Sequence, residues 1–431
     1  MKFLLKPYIS LFVLLIVACG EDRTYQYVEK TARDHWIQET MQANYLWGDS
    51  IKDLDWKVYF NDPKTFFSKM IAQAPVKDSW SWCSIDTLNE DYHVRGNFNH
   101  VNSYGMDFTV MTDPTTATSR QYARVISVYN GSPAYRCGIR RGDFIAMIDG
   151  SRFTSSASSS LVSGKSHTLV VNKLGIDYSE VEEGQFVWAS EDTLQLPASE
   201  YVEDVAFPIA HVVETDRGSV GYLMCNRLTA GPIETDPQSN AYLNGLNEAM
   251  ASFDGKDFEA FVLDLRLCNF GTMEMACRLA SYLVEETNEG RVFAKTFHRT
   301  DRTDANTSYL FDSDALARNL AVSHLYIITS SYTKGAAEWL IRGIRQAMGT
   351  DYVTLVGQTS AGQIVMTGNI PSDYFVTLHP AVAYVADADD SYDYSAGLTP
   401  DIAINELQYV TLYAYGDIRE LIFQTILEEL K

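Results

Sequence analysis

Positive charge is scarce in this chain: 34 lysines and arginines stand against 56 aspartates and glutamates, a formal net charge of −22. A protein that gains affinity by releasing counterions from phosphate needs a basic face, so nucleic acid is excluded as a partner. Cysteine is scarce too, with six in 431 residues and no paired CxxC spacing, and the eight histidines are scattered with no HExxH. Zinc chemistry has no support in that pattern, and no cofactor is expected. The first apolar run, Ile9 to Val17, is too short for a spanning helix, which needs about 20 such residues. There is no internal repeat, and the only low-complexity tract is the serines from Ser155 to Ser160.

What the N-terminus does have is Lys2 and Lys6, then the apolar run, then "IVAC" ending at Cys19. This reads as a secretory signal over residues 1–18 that closes on a bacterial lipobox. Cys19 becomes the lipidated first residue, with the polar "GEDR" behind it as a tether, and each acyl methylene buried in a bilayer contributes about 0.8 kcal/mol. The expected location is the bacterial cell envelope, in the outer membrane facing the periplasm or the outside. The other cysteines, Cys83, Cys137, Cys225, Cys268 and Cys277, are odd in number and read as buried free thiols.

The mature chain of roughly four hundred residues is long enough for two or three cores. With 46% hydrophobic residues and 12% aromatic, it is globular rather than disordered. Residues 19–100 read as a tether and a small helical module. Ile37, Met41 and Tyr45 recur at four-residue spacing, and Asp62 with Pro63 marks the start of a second helix carrying Phe66, Phe67, Met70 and Ile71. The aromatics of "NYLWGD" and "DSWSWC" read as core, with a sugar site as the alternative. Residues 206–431 are α/β: "FEAFVLDLRLCNFGT" is a near-continuous apolar run, as a strand buried on both faces requires, and "HLYIITS" and "YVTLVGQTS" are two more strands with a helix from Ala336 to Met348 between them.

Between these parts, "GSPAYRCGIRRGDFIAMIDG" (Gly131 to Gly150) places small residues before a short helix, Gly138 at its end, a turn at Gly142–Asp143 and a strand closing on Asp149–Gly150. Residues 101–205 resemble a PDZ domain of the kind found in bacterial proteases. The resemblance implies peptide binding at Tyr104, Gly105, Met106, Asp107 and Phe108, where backbone N–H groups capture a C-terminal carboxylate and the peptide adds a strand to the sheet. Gly105 would let backbone approach the ligand, and strand alternation would turn Asp107 outward, away from the ligand's own charge.

The third part carries "GYL" (Gly221 to Leu223), "LDLR" with Cys268–Asn269, "GAAE" (Gly335 to Glu338), "GQTSAG" (Gly357 to Gly362) and "YSAGLTPDI" (Tyr394 to Ile402). In order and spacing these resemble the tail-specific, or C-terminal-processing, serine proteases, lipoprotein members of Bacteroidetes in particular. The resemblance implies a crotonase/Clp-protease-like core that hydrolyses peptides with a serine nucleophile and a lysine base. Carried over position by position, the nucleophile falls on Ala337, the base on Gln363 and a third polar member on Thr367. The glycine-rich turn that would present oxyanion donors reads Phe270–Gly271–Thr272.

An alanine methyl cannot attack a carbonyl and a glutamine amide is not a base near neutral pH, so either loss suffices to stop the chemistry. The expectation is a catalytically inactive pseudoprotease that binds peptides or protein C-termini. The alternatives are an endopeptidase using displaced groups drawn from Ser330, Ser331, Ser360 and Lys334, and a surface scaffold for a protein or glycan. "GQTSAG" is one residue too long for a nucleophile elbow, and Thr333 reads as the N-cap of the following helix. The acidic stretch Asp387 to Ser395 lacks the central glycine and final glutamate of a calcium loop and reads as a solvated turn.

Overall fold

The computed structural model describes residues 24–85, 103–116, 118–179, 184–216, 218–232, 238–320 and 322–430. The signal segment and Cys19 lie outside the described residues. Among those that are described, no helix is long and apolar enough to cross a membrane.

The α/β part is built on a six-stranded sheet. Its order is Ile402–Ala403, Val353–Gly357, Leu325–Thr329, Phe258–Asp264, Ser219–Met224 and Ile209–Glu214, all parallel except the last pair, which is an antiparallel hairpin. The apolar run at Phe258–Asp264 forms a central strand, and its two faces feed two cores. Phe261 and Leu263 pack with the helices Ala241–Phe253, Met273–Leu283 and Ala336–Met348 on one side. Ala260 and Val262 pack on the other side with Ile422, Phe423 and Ile426 of the C-terminal helix Leu421–Glu429. A strand covered on both faces has no place for polar alternation, which is why its sequence shows none.

A second, antiparallel sheet of four short strands, Thr307–Leu310, Val292–His298, Ala381–Ala386 and Val365–Thr367, lies beside the first. The N-terminal helices form where the pattern places them. Ile37 and Met41 are fully buried on the helix Thr24–Asn44, Tyr45 is fully buried just past its end, and Asp62 caps Pro63–Ile71 by accepting from Thr65 N–H at 3.0 Å. This region is not self-contained, however. Its core includes Val365, Val376, Leu378 and Ala381, and its strand Trp82–Ile85 pairs with Val376–His379.

The middle module is a six-stranded antiparallel sheet in the order Met106–Thr112, Gln121–Val128, Phe144–Ile148, His167–Asp177, Gln185–Leu196, with the short strand Ser151–Arg152 pairing Phe144–Ile148 off this path. Ser132 caps its short helix Pro133–Cys137, Gly138 ends it at φ +105°, and the serine tract becomes a 3₁₀ helix, Ser155–Val162. The module is held to the α/β core by an irregular strap, residues 404–416. Arg124, from the module, donates to the carbonyls of Leu407 and Tyr409. Arg141 donates to Tyr413 O and to the Glu406 carboxylate, and Tyr415 returns a hydrogen bond to Ile126 O at 2.7 Å.

Candidate functional site

The site lies where the central strand ends. After Asp264 the chain turns, and the loop Ser330–Lys334 is tied onto that turn. Thr333 Oγ1 donates to Leu265 O (2.9 Å) and accepts from Ser330 N–H (2.9 Å), Ser330 Oγ donates to Arg266 O (2.5 Å), and Lys334 N–H donates to Cys268 O (3.2 Å). Thr333 is therefore a loop fastener, not the helix N-cap that its position in the sequence suggests. Gly335 takes the N-cap place with φ +60° and ψ −119°, a region that excludes ordinary side chains.

Glu338, three residues into the helix, organises the entrance. One carboxylate oxygen accepts from Ser360 Oγ (2.5 Å) and Gly362 N–H (2.6 Å), the other from Gly335 N–H (3.0 Å) and Gln363 N–H (2.8 Å). This side chain is fully buried and joins the helix to the "GQTSAG" loop, a role the sequence pattern does not announce. Burial pushes its carboxyl above the ordinary range, and the hydrogen bonds from Ser360, Gly362, Gln363 and Gly335 counter part of that rise.

The structure brings the positions inferred for nucleophile and base to one place. Ala337 is fully buried at the start of the helix, and the Gln363 carboxamide lies against Gly335, with its Oε1 3.3 Å from where a Cβ would stand. Its Nε2 is committed to Val365 O at 3.0 Å. Thr367 sits at the end of the short strand Val365–Thr367, half-buried and paired with Ala381. The Phe270–Gly271–Thr272 turn lies beside this entrance, because a Cβ on Gly271 would come within 2.8 Å of Ala336 Cβ. Thr272 N–H is spent on Leu228 O (2.7 Å), and its hydroxyl caps the helix Met273–Leu283. Gly271 N–H has no hydrogen-bond partner among the described residues.

Of the three serines read as candidates for a displaced site, Ser360 and Ser330 have their hydroxyls already in use. Ser360 Oγ donates to Glu338 and accepts from Leu398 N–H at 2.7 Å, while Ser330 Oγ donates to Arg266 O and accepts from Tyr332 N–H at 3.0 Å. Ser331 is exposed. Lys334 is half-buried; burial pushes its amine below the ordinary range, partly countered by the charge of Glu338. Downstream, Asp387 accepts from the N–H groups of Asp389 (3.1 Å) and Ser391 (3.0 Å) and pairs with Arg342. Its carboxylate closes the acidic turn on itself.

In the middle module, Gly105 has φ +69°, and its close neighbours are the protein's own: a Cβ would meet Ser132 Oγ at 2.7 Å and Val202 at 3.3 Å. Its N–H donates to Ser103 Oγ at 2.9 Å, and Tyr104 donates to Lys165 O. Asp107 lies on the face opposite Met106 and Phe108, as alternation suggests, but that face is covered, and it is 4% exposed. Met106 and Phe108 join the module's core. Among the described residues, the strand Met106–Thr112 stands at the edge of the sheet, paired on one side only.

Behind the entrance lies a buried ionic cluster that pattern reading missed. Arg266 is held by Asp264 (2.8 Å), Glu406 (2.6 Å) and Glu420 (2.9 Å), and Glu406 is shared with Arg141 of the middle module at 2.6 Å. The Tyr415 ring lies between the two guanidiniums, 4.0 Å from Arg141 and 4.7 Å from Arg266. The signal available in sequence was "LDLR" itself, whose arginine has no reason to sit at the end of a buried strand unless acids meet it.

Comparison with known proteins fits this geometry. Residues 220–404 match the profile of peptidase family S41, and residues 124–173 match a PDZ domain. A crystal structure of a Bacteroides fragilis protein assigned to the S41 proteases superimposes with a TM-score of 0.77 at 27% identity, covering 92% of this chain and 96% of that one. The photosystem II D1 C-terminal processing protease shares the fold alone, with a TM-score of 0.51 at 14% identity over 87% of this chain and 93% of its own. No curated protein sequence matches significantly.

Proposed function

We propose that this chain, whose residues 220–404 match peptidase family S41 and 124–173 a PDZ domain, captures peptides or protein C-termini without hydrolysing them. The observation that carries this reading is the helix entrance, where the buried Ala337 methyl stands in the nucleophile's place and the Gln363 amide, committed to Val365 O, stands in the base's. Attack on a peptide carbonyl needs a hydroxyl and a proton acceptor within reach of one another, and the entrance supplies neither. The binding elements persist: Gly271 keeps an unspent N–H beside the entrance, and the PDZ sheet keeps a one-sided edge at Met106–Thr112 to which an extended peptide can add. In this reading the lipidated Cys19 holds the protein at a bacterial envelope membrane, and its partners are peptide tails presented there.

One observation favours catalysis by displaced groups, the low-shifted amine of Lys334. Against it, the hydroxyls of Ser360 and Ser330 are both spent on structural hydrogen bonds. The test is to incubate the purified full-length protein with a library of labelled peptides bearing free C-termini, reading cleavage by mass spectrometry and binding by fluorescence anisotropy. Binding without turnover is expected. Cleavage that co-purifies with the protein and vanishes in Lys334→Met would overturn the proposal.

A further inference from the structure

Two cysteines of the core face each other across the turn that leads to the helix entrance. Cys225 directly follows the strand Ser219–Met224, and its N–H donates to Asp264 O at 2.9 Å, which keeps it level with the end of the central strand. Cys268 lies four residues beyond that strand end, and its N–H folds back to Leu265 O at 2.9 Å, so the chain returns toward the neighbouring strand. The result is an Sγ–Sγ separation of 4.0 Å between two completely buried thiols. No other cysteine shares this contact among the described residues; Cys83, Cys137 and Cys277 lie elsewhere as free thiols. A disulfide needs its sulfurs at about 2.05 Å, so the gap to close from 4.0 Å is about 2 Å.

We infer that Cys225 and Cys268 form a disulfide when the chain folds in the presence of a disulfide oxidant. The oxidant is of the disulfide class, small molecule or protein. One cysteine thiolate attacks its S–S bond and displaces a thiolate, giving a mixed disulfide; the second cysteine then attacks the protein sulfur of that bond and displaces the oxidant's other thiolate. The protein loses two protons and two electrons, and the oxidant becomes two thiols. Timing follows from burial: both sulfurs have no exposed surface, and burial together with the Cys268 neighbour holds the Cys225 thiol protonated. Exchange therefore occurs before this core closes, and a chain folded under reducing conditions keeps the thiol pair.

The bond would brace the site. The Cys268 carbonyl holds Lys334 N–H at 3.2 Å, and Lys334 directly precedes the Gly335 cap. A link to Cys225 anchors that carbonyl, and the Phe270–Gly271–Thr272 turn just after it, to the neighbouring strand. The inference is independent of whether the chain cleaves peptides.

The experiment refolds the reduced, denatured full-length chain in parallel with oxidised glutathione or with excess reductant. Each sample is then alkylated in denaturant and mapped by mass spectrometry. The expected result after oxidative refolding is a Cys225–Cys268 cross-linked peptide with Cys83, Cys137 and Cys277 alkylated, and a melting temperature at least about 5 °C above that of the reduced form. Cys225→Ala with Cys268→Ala should abolish the difference between the two conditions. Natively folded protein from the oxidising arm in which Cys225 and Cys268 are both fully alkylated, or are linked to other cysteines, would overturn the inference. That reading needs only the wild-type chain and stands even if the double variant fails to fold.

Discussion

Glu406→Gln is the perturbation whose size the structure fixes best. Glu406 accepts from Arg141 of the PDZ domain and Arg266 of the peptidase-like core, both at 2.6 Å, through a single carboxylate oxygen. Burial alone would raise its pKa, but the two guanidiniums override that and take it from 4.5 to about 2. Removing one partner of such a buried, hydrogen-bonded ion pair costs about 3 kcal/mol or more of folding stability. Because the folded value lies below the unfolded one, this contribution is fully present above the unfolded value near 4.5 and is lost as pH falls toward 2. Glu406→Gln should therefore cost about 3 kcal/mol at neutral pH, in line with breaking one partner of a buried pair. The assay is urea unfolding of wild type and variant in parallel at pH 7 and pH 3.5, with hydrogen exchange on residues 404–416 as a local readout. The wild type should lead clearly at pH 7, the lead should shrink at pH 3.5, and exchange in the strap should quicken in the variant. Equal stabilities at pH 7, or a gap that acid leaves unchanged, would refute the reasoning.

Other outcomes follow from the helix entrance and the two ends of the proposed function. Ala337→Ser alone should leave peptide hydrolysis at background, since the Gln363 amide in the base's place accepts no proton; Ala337→Ser with Gln363→Lys is the smallest change that restores both groups, and turnover by the single variant would point to another acceptor, with Lys334 the first to test. Gly335→Ala puts a Cβ at φ +60° and 3.3 Å from Gln363 Oε1, so the melting temperature should fall by an amount equivalent to about 1–2 kcal/mol; an unchanged value would mean the cap is not strained. Amidating the C-terminus of a bound peptide should weaken it by about 1.5–3 kcal/mol if a charge-assisted hydrogen bond holds the carboxylate, and equal affinity of acid and amide would rule out carboxylate capture. Cys19→Ser should shift the protein from the membrane to the soluble fraction, and an unaltered partition would remove the lipid anchor from the proposal.

The parts of this molecule that were legible in sequence are those where one element's own pattern settles its environment. The apolar run at Phe258–Asp264 could only be a strand covered on both faces, and the helix between "HLYIITS" and "YVTLVGQTS" runs from Ala336 to Met348 as read. The placing of nucleophile and base at Ala337 and Gln363 rests on the resemblance alone, which assigns positions that no periodicity of the sequence could pick out. What escaped depends on partners far away in the chain. Val365–Thr367 is too short for alternation to register and becomes a strand only by pairing with Ala381–Ala386. The strap at 404–416 has no regular period, and its anchors Arg124 and Arg141 come from a different module. Thr333 read as a helix cap because a hydroxyl before a helix usually is one; Leu265 O, 68 residues away in sequence, competes for it here.

The pairing of Trp82–Ile85 with Val376–His379 sets a clock on how this protein is made. Trp82 stacks on His379 with ring centres 3.6 Å apart, and Cys83 lies opposite Leu378. Ile37 and Met41 of the first long helix, and Tyr45 just after it, share their core with Val365, Val376, Leu378 and Ala381 of the same late segment. At about 5–20 residues per second of synthesis, the roughly 300 residues between these partners take about 15–60 s to appear. For that interval the first residues to emerge are without the strand and apolar side chains that complete their core. The earliest part of the chain is thus among the last to finish folding, and a nascent chain arrested before residue 376 exposes an aromatic-rich surface for chaperones to hold or proteases to find.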